Sequence, residues 1–413
     1  MGLQPTLFES ARLQMNESIE LTIASLIAYG TAHEHWVIAW SGGKDSTLLV
    51  TLVVWLILAG KVPAPKTLTV LYADTRLELL PLYLSAVTIR EELAEHAPAL
   101  AKMGCTLDVR TVTAPMDKRF LVYVLGRGVP PPNNTTLRWC TRQIKVDPMR
   151  AELESLRATL GTDTLTLTGV RLGESAARDG RIAMSCSKGD GECGQGWYQR
   201  DLAERGKATL APVLHWRVCH VWEWLKHWAP QVEFGDWTTS LLAEVYGGDE
   251  ADELNARTGC CGCPLATQDN ALDALLKRPQ WAYLEPLKRL RPLWREMRSP
   301  LVRLRKAGGE SRADGSLVAN QHRMGPITLD GRLTALASVL AIQSEINASA
   351  RAQGRPAVDL LNPEEEARIR ALIAAGTWPQ RWTGSEPLAT APFEDTGGQL
   401  SMFGAEVADD ELD

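Results

Sequence analysis

The chain has 413 residues, of which 45% are apolar, and a net charge of -6, which suits a soluble globular protein with about two domains. The longest apolar run, residues 48–59, is shorter than the ~20 residues that a membrane-spanning helix needs. The N-terminus has neither the basic nor the apolar region of a secretion signal, so we expect a protein of the reducing cytoplasm without membrane contact.

Short apolar runs alternate with helical patterns in the first part of the sequence. The runs cover residues 37–40, 67–72 and 164–170, and the helical patterns cover residues 47–58 and 79–95. Continuous apolar runs are typical of buried parallel strands. The alternation therefore predicts an α/β fold with a doubly wound, mostly parallel sheet, which binds ligands at the carboxyl ends of its strands.

The predicted organisation has three parts. The first domain covers residues 1–280, and its glycine-rich segment at about 180–208 predicts a cysteine-bearing insertion rather than a continuation of the sheet. Residues 281–384 are first basic and then α-helical, with an apolar stripe whose members are Leu333, Leu336, Val339, Leu340 and Ile346. Residues 385–413 are acidic and predicted to be disordered.

A glycine-rich loop follows the first predicted strand and opens the first predicted helix. Its residues are Ser41, Gly42, Gly43, Lys44, Asp45, Ser46 and Thr47. Free amides at a helix N-terminus form an anion site, and the two glycines let a phosphate approach the backbone. Lys44 adds a positive charge. The loop therefore predicts phosphate binding, although the spacing is not that of a Walker A motif.

This loop resembles the SGGxDS signature of the PP-loop ATP pyrophosphatases. The resemblance implies an adenine nucleotide alpha hydrolase-like fold, cleavage of ATP between its α- and β-phosphates, and a magnesium ion.

Two later segments resemble motifs of the phosphoadenosine phosphosulfate (PAPS) reductase branch of this family. Residues 74–78 resemble its DTxxE segment, and residues 169–178 resemble its GxRxxES..R segment. By this resemblance Asp74 and Glu174 belong to the nucleotide site, while Arg171 and Arg178 join Lys44 and Asp45 as catalytic residues. Without the resemblance, Asp74 is an ordinary helix cap and the arginines are surface ion pairs.

The eight cysteines are spaced unevenly, which favours metal binding over a disulfide framework. Cys260 and Cys263 form a C-x-x-C motif, which suits an iron–sulfur cluster or zinc. Residues 138–148 resemble the R-x-C-C…K-V-x-P stretch of adenylyl-sulfate reductases, which implies a [4Fe-4S] cluster with Cys140 as a ligand. Thr141 replaces the second cysteine of that stretch. Cys193 is our choice for the fourth ligand, with Cys186 and Cys261 as alternatives, and we expect Cys105 and Cys219 to be buried thiols.

The combination of an SGGKDST loop with clustered cysteines is similar to the DndC-like and SspD-like proteins of bacterial DNA phosphorothioation. The resemblance implies ATP-dependent sulfur transfer to DNA in a defence system, with a cysteine desulfurase and other DNA-modification subunits as partners. No cysteine follows Cys263, which argues against a sulfonucleotide reductase with a nucleophilic tail cysteine. A tRNA-thiolating enzyme and a nucleotide-sensing subunit of a defence complex remain alternatives.

Two features bear on DNA. Residues 281–306 combine Trp281 and Trp294 with basic residues, a composition that suits phosphate contacts and base stacking, or simply a solvated basic surface. The basic residues are Lys288, Arg289, Arg291, Arg295, Arg298, Arg303, Arg305 and Lys306. The tail segment Gln399, Leu400, Ser401, Met402 and Phe403 resembles the QLxLF peptide that binds bacterial sliding clamps.

Overall fold

The computed structural model describes residues 13–133, 138–161, 164–173, 179–180, 182, 197–200, 207–246, 259–307, 320, 322–391, 393–394 and 400–401. The chain divides into two compact units, each made of segments that are distant in sequence. The first unit consists of Met1–Asp74, Leu79–Val112 and Met149–Thr258. The second consists of Thr75–Glu78, Thr113–Pro148 and Gly259–Asp413.

A mixed, mostly parallel sheet confirms the predicted fold class. Its strands are β1 (His35–Trp40), β2 (Thr67–Asp74), β3 (Thr106–Thr113), β4 (Thr164–Leu167), β5 (Trp197–Arg200) and β6 (Lys207–Ala211). They lie in the order β3-β2-β1-β4-β6-β5. β1 pairs in parallel with β2 on one side and with β4 on the other, and β4 pairs in parallel with β6. β5 is antiparallel to β6.

The strand order reverses at β1. The chain moves outward from β1 to β2 and β3, and then returns to β4 on the opposite side of β1. Ligands of doubly wound sheets bind in the crevice at such a reversal, outside the carboxyl ends of the strands. The segments that follow Trp40 and Leu167 are therefore the ones that the fold brings to a ligand site.

The helices beside the sheet bury its two apolar faces. They are α1 (Met15–Ser25), α2 (Lys44–Leu58), α3 (Leu80–Lys102), α4 (Asp147–Leu160), α5 (Val218–Glu223) and α6 (Ser240–Val245). The long apolar run of the sequence lies in α2, which is buried along most of its length, as predicted. Val37, Leu71 and Val112 from three strands pack with Leu156 of α4. Among the described helices, none combines the length and apolar character needed to cross a membrane.

The segment predicted as an insertion reaches too far. Residues 197–200 form β5, and β6 begins at Lys207, so both strands extend the sheet inside the expected 180–208 loop. The prediction relied on glycine and polar content. A four-residue antiparallel edge strand gives too short a pattern to compete with that signal.

The second unit joins the C-terminal helices to two earlier segments. Its helices are α7 (Asn270–Leu276), α8 (Leu290–Glu296), α9 (Leu329–Ala352) and α10 (Pro363–Ala374). Both α9 and α10 pack against the helical turn Val122–Gly126. The C-terminal segment of this unit begins at Gly259, earlier than the expected boundary at residue 280, because packing rather than composition defines the unit. In the predicted apolar stripe Leu336, Val339 and Ile346 are buried, but Leu333 is 43% exposed.

The described part of the tail is ordered by backbone pairing. Ala389 N–H donates to the Arg303 carbonyl at 2.8 Å, and Leu388 forms a bridge with Leu304. Further on, β7 (Phe393–Glu394) pairs with β8 (Leu400–Ser401). The expectation of disorder from residue 385 is therefore wrong for residues 385–391, because an extended chain satisfies backbone groups that composition does not reveal.

Candidate functional site

The glycine-rich loop lies where the fold predicts a ligand site, between the carboxyl end of β1 and the N-terminus of α2. Gly42 has a φ of +73°, a conformation that side chains rarely adopt. Ser46 Oγ donates to the Gly43 carbonyl at 3.1 Å, and the Ser41 amide donates to Ser46 Oγ at 3.2 Å. Gly43, the N-cap of α2, has no side chain to cap the helix. The loop is thus held in a turn at a helix N-terminus, the arrangement that binds phosphate.

Three charged side chains meet beside this loop. Lys44 Nζ lies 3.0 Å from Asp45 Oδ2, and Arg171 Nε donates to Asp45 Oδ1 at 2.6 Å. Arg171 is only 4% exposed, and its second contact is the Trp216 carbonyl, at 3.1 Å. The structure therefore brings together Lys44, Asp45 and Arg171, which the sequence predicts to be catalytic. It also shows Arg171 orienting Asp45 while fixed to the backbone.

The other loop residues differ in their surroundings. Ser41 is exposed and Ser46 is half-buried, so their hydroxyls lie near the surface of the loop. Thr47 is buried, and its hydroxyl accepts a hydrogen bond from Trp40 Nε1 at 2.9 Å. Thr47 thus fixes α2 to β1 from inside the core, away from the loop surface.

Sequence reasoning missed Tyr246, which closes this site from the end of α6. The Lys44 amide donates to the Tyr246 hydroxyl at 3.3 Å, and Lys44 Nζ lies 5.2 Å from the centre of the ring. A cation at this distance is attracted to the face of an aromatic ring. The only sequence signal was a tyrosine at the end of a helical pattern, which does not indicate a ligand site.

Gly169 brings the loop after β4 close to α2. A Cβ on Gly169 would lie 2.7 Å from the Asp45 carbonyl oxygen, a distance at which the atoms clash. Only glycine allows this approach, which places Arg171 beside Asp45. Glu174 and Arg178, the remaining predicted residues of this segment, lie outside the described residues.

The segment predicted as a DTxxE motif separates into two parts. Asp74 ends β2 at the carboxyl edge of the sheet. Residues 75–78 belong to the second unit, where Glu78 closes a turn by accepting from Thr75 Oγ1 at 2.5 Å and from the Leu77 amide at 3.2 Å. The Leu77 carbonyl accepts from the Cys261 amide at 2.6 Å. This turn therefore supports the cysteine segment.

The cysteine segment of the second unit forms a tight turn. The Cys263 amide donates to the Cys260 carbonyl at 3.1 Å, and Gly262 has a φ of +61°. Burial raises the pKa of the Cys260 thiol to about 11, the charge of Lys145 lowers it, and the charges of Cys263, Glu78 and Cys140 raise it. Cys140, Cys260 and Cys263 are thus close enough to interact electrostatically.

Cys140 is also half-buried. Burial raises the pKa of its thiol, and a hydrogen bond from the side chain of Thr141 opposes this effect. Thr141 stands where the resemblance predicts a second cysteine. It therefore contributes a hydrogen bond to Cys140 in place of a metal ligand.

The cysteines Cys140, Cys260 and Cys263 are the expected ligands of a metal centre. Within the described part of the chain, no three His, Cys, Asp or Glu residues lie close enough together to hold one metal ion. A [4Fe-4S] cluster binds each cysteine through a different iron, so its ligands stand farther apart than those of a single zinc. Three of the expected cluster ligands, Cys140, Cys260 and Cys263, lie among the described residues. Cys193 and Cys186, the candidates for the fourth ligand, lie outside the described residues.

Two other cysteines were predicted to be buried. Cys105 is buried, as expected, but Cys219 is exposed. The prediction for Cys219 is wrong because Cys219 lies on the solvent-exposed side of α5, while the next residue, His220, is buried.

The basic stretch does not form a stacking surface. Trp281 and Trp294 are 6% and 2% exposed, so neither ring can stack on a base. Arg303 donates to the carbonyls of Met324 and Gly325, and Arg305 donates to that of Ala391. The predicted role of the tryptophans is therefore wrong, because their apolar rings pack in the core of the second unit.

The comparisons with known proteins agree with the fold. Residues 35–232 match the model of the phosphoadenosine phosphosulfate reductase domain, a range that includes all six strands of the main sheet. The matched range is just under half of the 413 residues, so the chain is similar to this family over its main sheet. No curated protein sequence matches the chain.

Solved structures give only distant similarities. The PAPS reductase of Candida auris, in a phosphate complex, is 12% identical with a TM-score of 0.30, and the match covers 52% of this chain and 87% of that one. The FMN adenylyltransferase of Candida glabrata, with FMN and the ATP analogue AMPCPP, is 14% identical with a TM-score of 0.29, and the match covers 53% and 60%.

Proposed function

We propose that this protein uses ATP to activate a DNA backbone phosphate for sulfur transfer, which yields a phosphorothioate. The observation that carries the proposal is the complete phosphate loop at the strand reversal, with Lys44 and Arg171 both paired with Asp45. The resemblance to DndC-like proteins supplies the substrate, DNA.

The residues of the loop suit the triphosphate. The amides at the start of α2 and the ammonium of Lys44 would neutralise its charge. Arg171 is fixed to the Trp216 carbonyl and would act mainly by holding Asp45 in position. Mg²⁺ is usually held by phosphates with one or two carboxylates, and Asp74 at the end of β2 is the candidate for that contact.

The reaction has two displacements. A non-bridging oxygen of the DNA phosphate attacks the α-phosphorus of ATP, and pyrophosphate leaves. Sulfur at the sulfide oxidation level then attacks the DNA phosphorus, and AMP leaves with the former oxygen. A cysteine desulfurase with its reductant would supply the sulfur.

The cysteine turn supports the sulfur chemistry. Cys140, Cys260 and Cys263, with Cys193 as the fourth ligand, would hold the [4Fe-4S] cluster. When bound, the cluster would supply iron that can carry sulfur. Lys145 would compensate the negative charge of the thiolates, as its effect on Cys260 indicates.

A second candidate function is the reduction of a sulfonucleotide, which the family match favours. Its nucleophile would be a cysteine, and the sequence after Cys263 contains none. A tRNA-thiolating enzyme would use the same loop and cysteines. Pyrophosphate release is expected of both sulfur-transfer reactions and not of the reductase or of a nucleotide sensor.

The test uses the full chain purified without oxygen. We expect it to release pyrophosphate from ATP and, with a sulfide source, to place sulfur in duplex DNA that is detected by mass spectrometry. Cys263→Ala should lose iron and sulfur transfer but retain ATP binding. Cys219→Ala is the matched control, because that thiol is exposed and far along the chain from the C-x-x-C motif. An iron-free wild type, or sulfur found only in tRNA, would contradict the proposal.

Partners and localisation follow from the same proposal. Other DNA-modification subunits would deliver the duplex, and the protein would act in the cytoplasm. Residues 399–403 would bind a sliding clamp, although Leu400–Ser401 is paired with Phe393–Glu394 here and the rest of the motif lies outside the described residues. A Phe403→Ala variant that binds the clamp as well as the wild type does would eliminate this contact.

A further inference from the structure

The positive charges of residues 288–306 are compensated unequally. Lys288 Nζ lies 2.8 Å from Asp273 Oδ1, and Arg289 pairs with Glu345. Arg291 donates to the carbonyls of Ala266 and Thr267, and Lys306 Nζ lies 5.2 Å from the centre of the Trp382 ring. These residues have local partners, which reduces their attraction for an external anion.

Arg295 and Arg298 differ from these residues. Among the residues that the structure describes, neither side chain has a hydrogen bond or an ion pair. They lie one turn apart at the end of α8, where the Arg298 amide donates to the Arg295 carbonyl at 3.0 Å. Side chains three positions apart on a helical turn are neighbours, with Cβ atoms about 5–6 Å apart.

A third guanidinium, that of Arg303, adds to the same charge. Arg303 is 7% exposed, and its side chain is fixed by the carbonyls of Met324 and Gly325. Its backbone pairs with Ile327 on one side and accepts from the Ala389 amide on the other. Two segments of the second unit, residues 324–327 and the segment that contains Ala389, therefore hold Arg303 in place.

Neighbouring positive charges lower the pKa of both Arg298 and Arg303. Burial lowers the pKa of Arg303 to about 9, and the charges of Arg323 and Arg298 lower it further. Burial also lowers the pKa of Arg298, and Arg295 adds to that effect. Gathering like charges at a partly buried site is unfavourable unless an anion completes it.

Arg332 shows what a purely structural arginine looks like in this protein. It is fully buried and bonded to the carbonyls of Ile327, Gly126 and Thr377, with its guanidinium over the Trp378 ring. Burial alone lowers its pKa, to about 10. The convergence of several guanidiniums thus distinguishes the arginines near Arg303.

We propose that Arg295 and Arg298 form an anion-binding surface for consecutive phosphates of duplex DNA, with the buried Arg303 adding positive charge near them. This inference rests on the proposed function, in which DNA is the substrate. Guanidiniums bind phosphate oxygens through paired N–H donors and neutralise the backbone without reading its sequence. The surface therefore positions the duplex, and it does so without the base stacking that the tryptophans suggest.

The test compares two double variants of the full chain, each of which removes two positive charges from residues 288–298. Arg295→Ala/Arg298→Ala removes the converging guanidiniums, and Lys288→Ala/Arg289→Ala removes cations that already have carboxylate partners. Binding of a fluorescein-labelled DNA duplex is measured by anisotropy over a range of salt concentrations. Loss of two phosphate contacts should reduce the slope of log K against log[salt] by about 1.8.

We expect the first variant to bind at least about tenfold more weakly, with that lower slope, and the control to stay close to wild type. Arg295→Lys/Arg298→Lys should retain the slope because it retains the charge. Equal weakening in both double variants, or an unchanged Arg295→Ala/Arg298→Ala variant, would overturn the proposal. Binding of tRNA in preference to duplex DNA would overturn it as well.

The result also separates this inference from the proposed function. Pyrophosphate release by a protein that does not bind DNA would refute the proposed arginine surface but would agree with the proposed ATP cleavage. DNA binding that depends on Arg295 and Arg298, in a protein that never cleaves ATP, would support the surface and refute the proposed reaction.

Discussion

A methyl group added at Gly169 should impair ATP turnover. A Cβ there would lie 2.7 Å from the carbonyl oxygen and 2.8 Å from the carbonyl carbon of Asp45, whereas non-bonded heavy atoms prefer about 3.5–4.0 Å. Both partners are backbone, so the strain cannot be relieved by rotating a side chain. The first turn of α2 and the loop after β4 would have to separate by roughly 1 Å.

The magnitude follows from that displacement. Overpacking of this kind costs about 1–3 kcal/mol of folding free energy, which a folded protein of this size can tolerate. A displacement of about 1 Å at a catalytic group can lower the rate about 100-fold. We therefore expect Gly169→Ala to lower kcat/KM for pyrophosphate release about 100-fold while the protein remains folded.

The assay follows pyrophosphate by a coupled enzyme reaction at several ATP concentrations, with thermal unfolding measured in parallel. Gly180→Ala is the control, because a Cβ at Gly180 meets nothing within 4 Å. If Gly169→Ala turned over ATP like the wild type, the close approach of Gly169 to Asp45 would not be what sets the geometry of the site.

Other substitutions test separate features. Arg171→Lys keeps the charge, but a lysine cannot bond to Asp45 and to the Trp216 carbonyl at the same time, so single-turnover ATP cleavage should slow on the order of 100-fold. A normal rate would show that the guanidinium does not position Asp45. Gly262→Ala should destabilise the cysteine turn and reduce the iron content of the protein. Gly354 has a similar φ of +62° but open space around it, so Gly354→Ala should cost only backbone strain. Equal losses of stability and iron in the two variants would rule out a steric clash at Gly262. Burial lowers the pKa of His220 below its usual 6.5 in the folded protein. As the pH falls, the unfolded chain therefore takes up this proton at a higher pH than the folded protein does, and the free energy of unfolding should decrease. Urea titrations at pH 7.5 and 5.5 should show a smaller fall for His220→Asn, and an identical fall would show that other groups are responsible.

The sequence places the glycine-rich loop between β1 and α2, as the structure does, because this arrangement is local. One strand, seven residues and one helix specify it, and the structure places Lys44 and Asp45 where the pattern puts them. Arg171 was predicted through a motif, yet its contact with the Trp216 carbonyl depends on the pairing of distant strands. Tyr246 reaches the same loop from some 200 residues away in sequence, and no local pattern encodes that contact.

The errors have a common cause, which is that composition does not determine exposure. Tryptophans beside arginines suggest nucleic-acid stacking, but the rings of Trp281 and Trp294 are large apolar surfaces that gain more free energy by burial. Arg303 is buried because backbone carbonyls bind its guanidinium. Carbonyl partners of this kind depend on tertiary structure, and the identities of the neighbouring residues give no sign of them.

The scattered origin of the second unit sets an order of events for biogenesis. Residues 75–78, the segment with Cys140 and the turn with Cys260 leave the ribosome at widely separated times, and the Leu77–Cys261 hydrogen bond forms only when the last has emerged. Contacts between residues so far apart form slowly. Until then the thiol of Cys140 stays without the neighbours that surround it in the folded chain, so Cys140, Cys260 and Cys263 come together only at a late stage of synthesis.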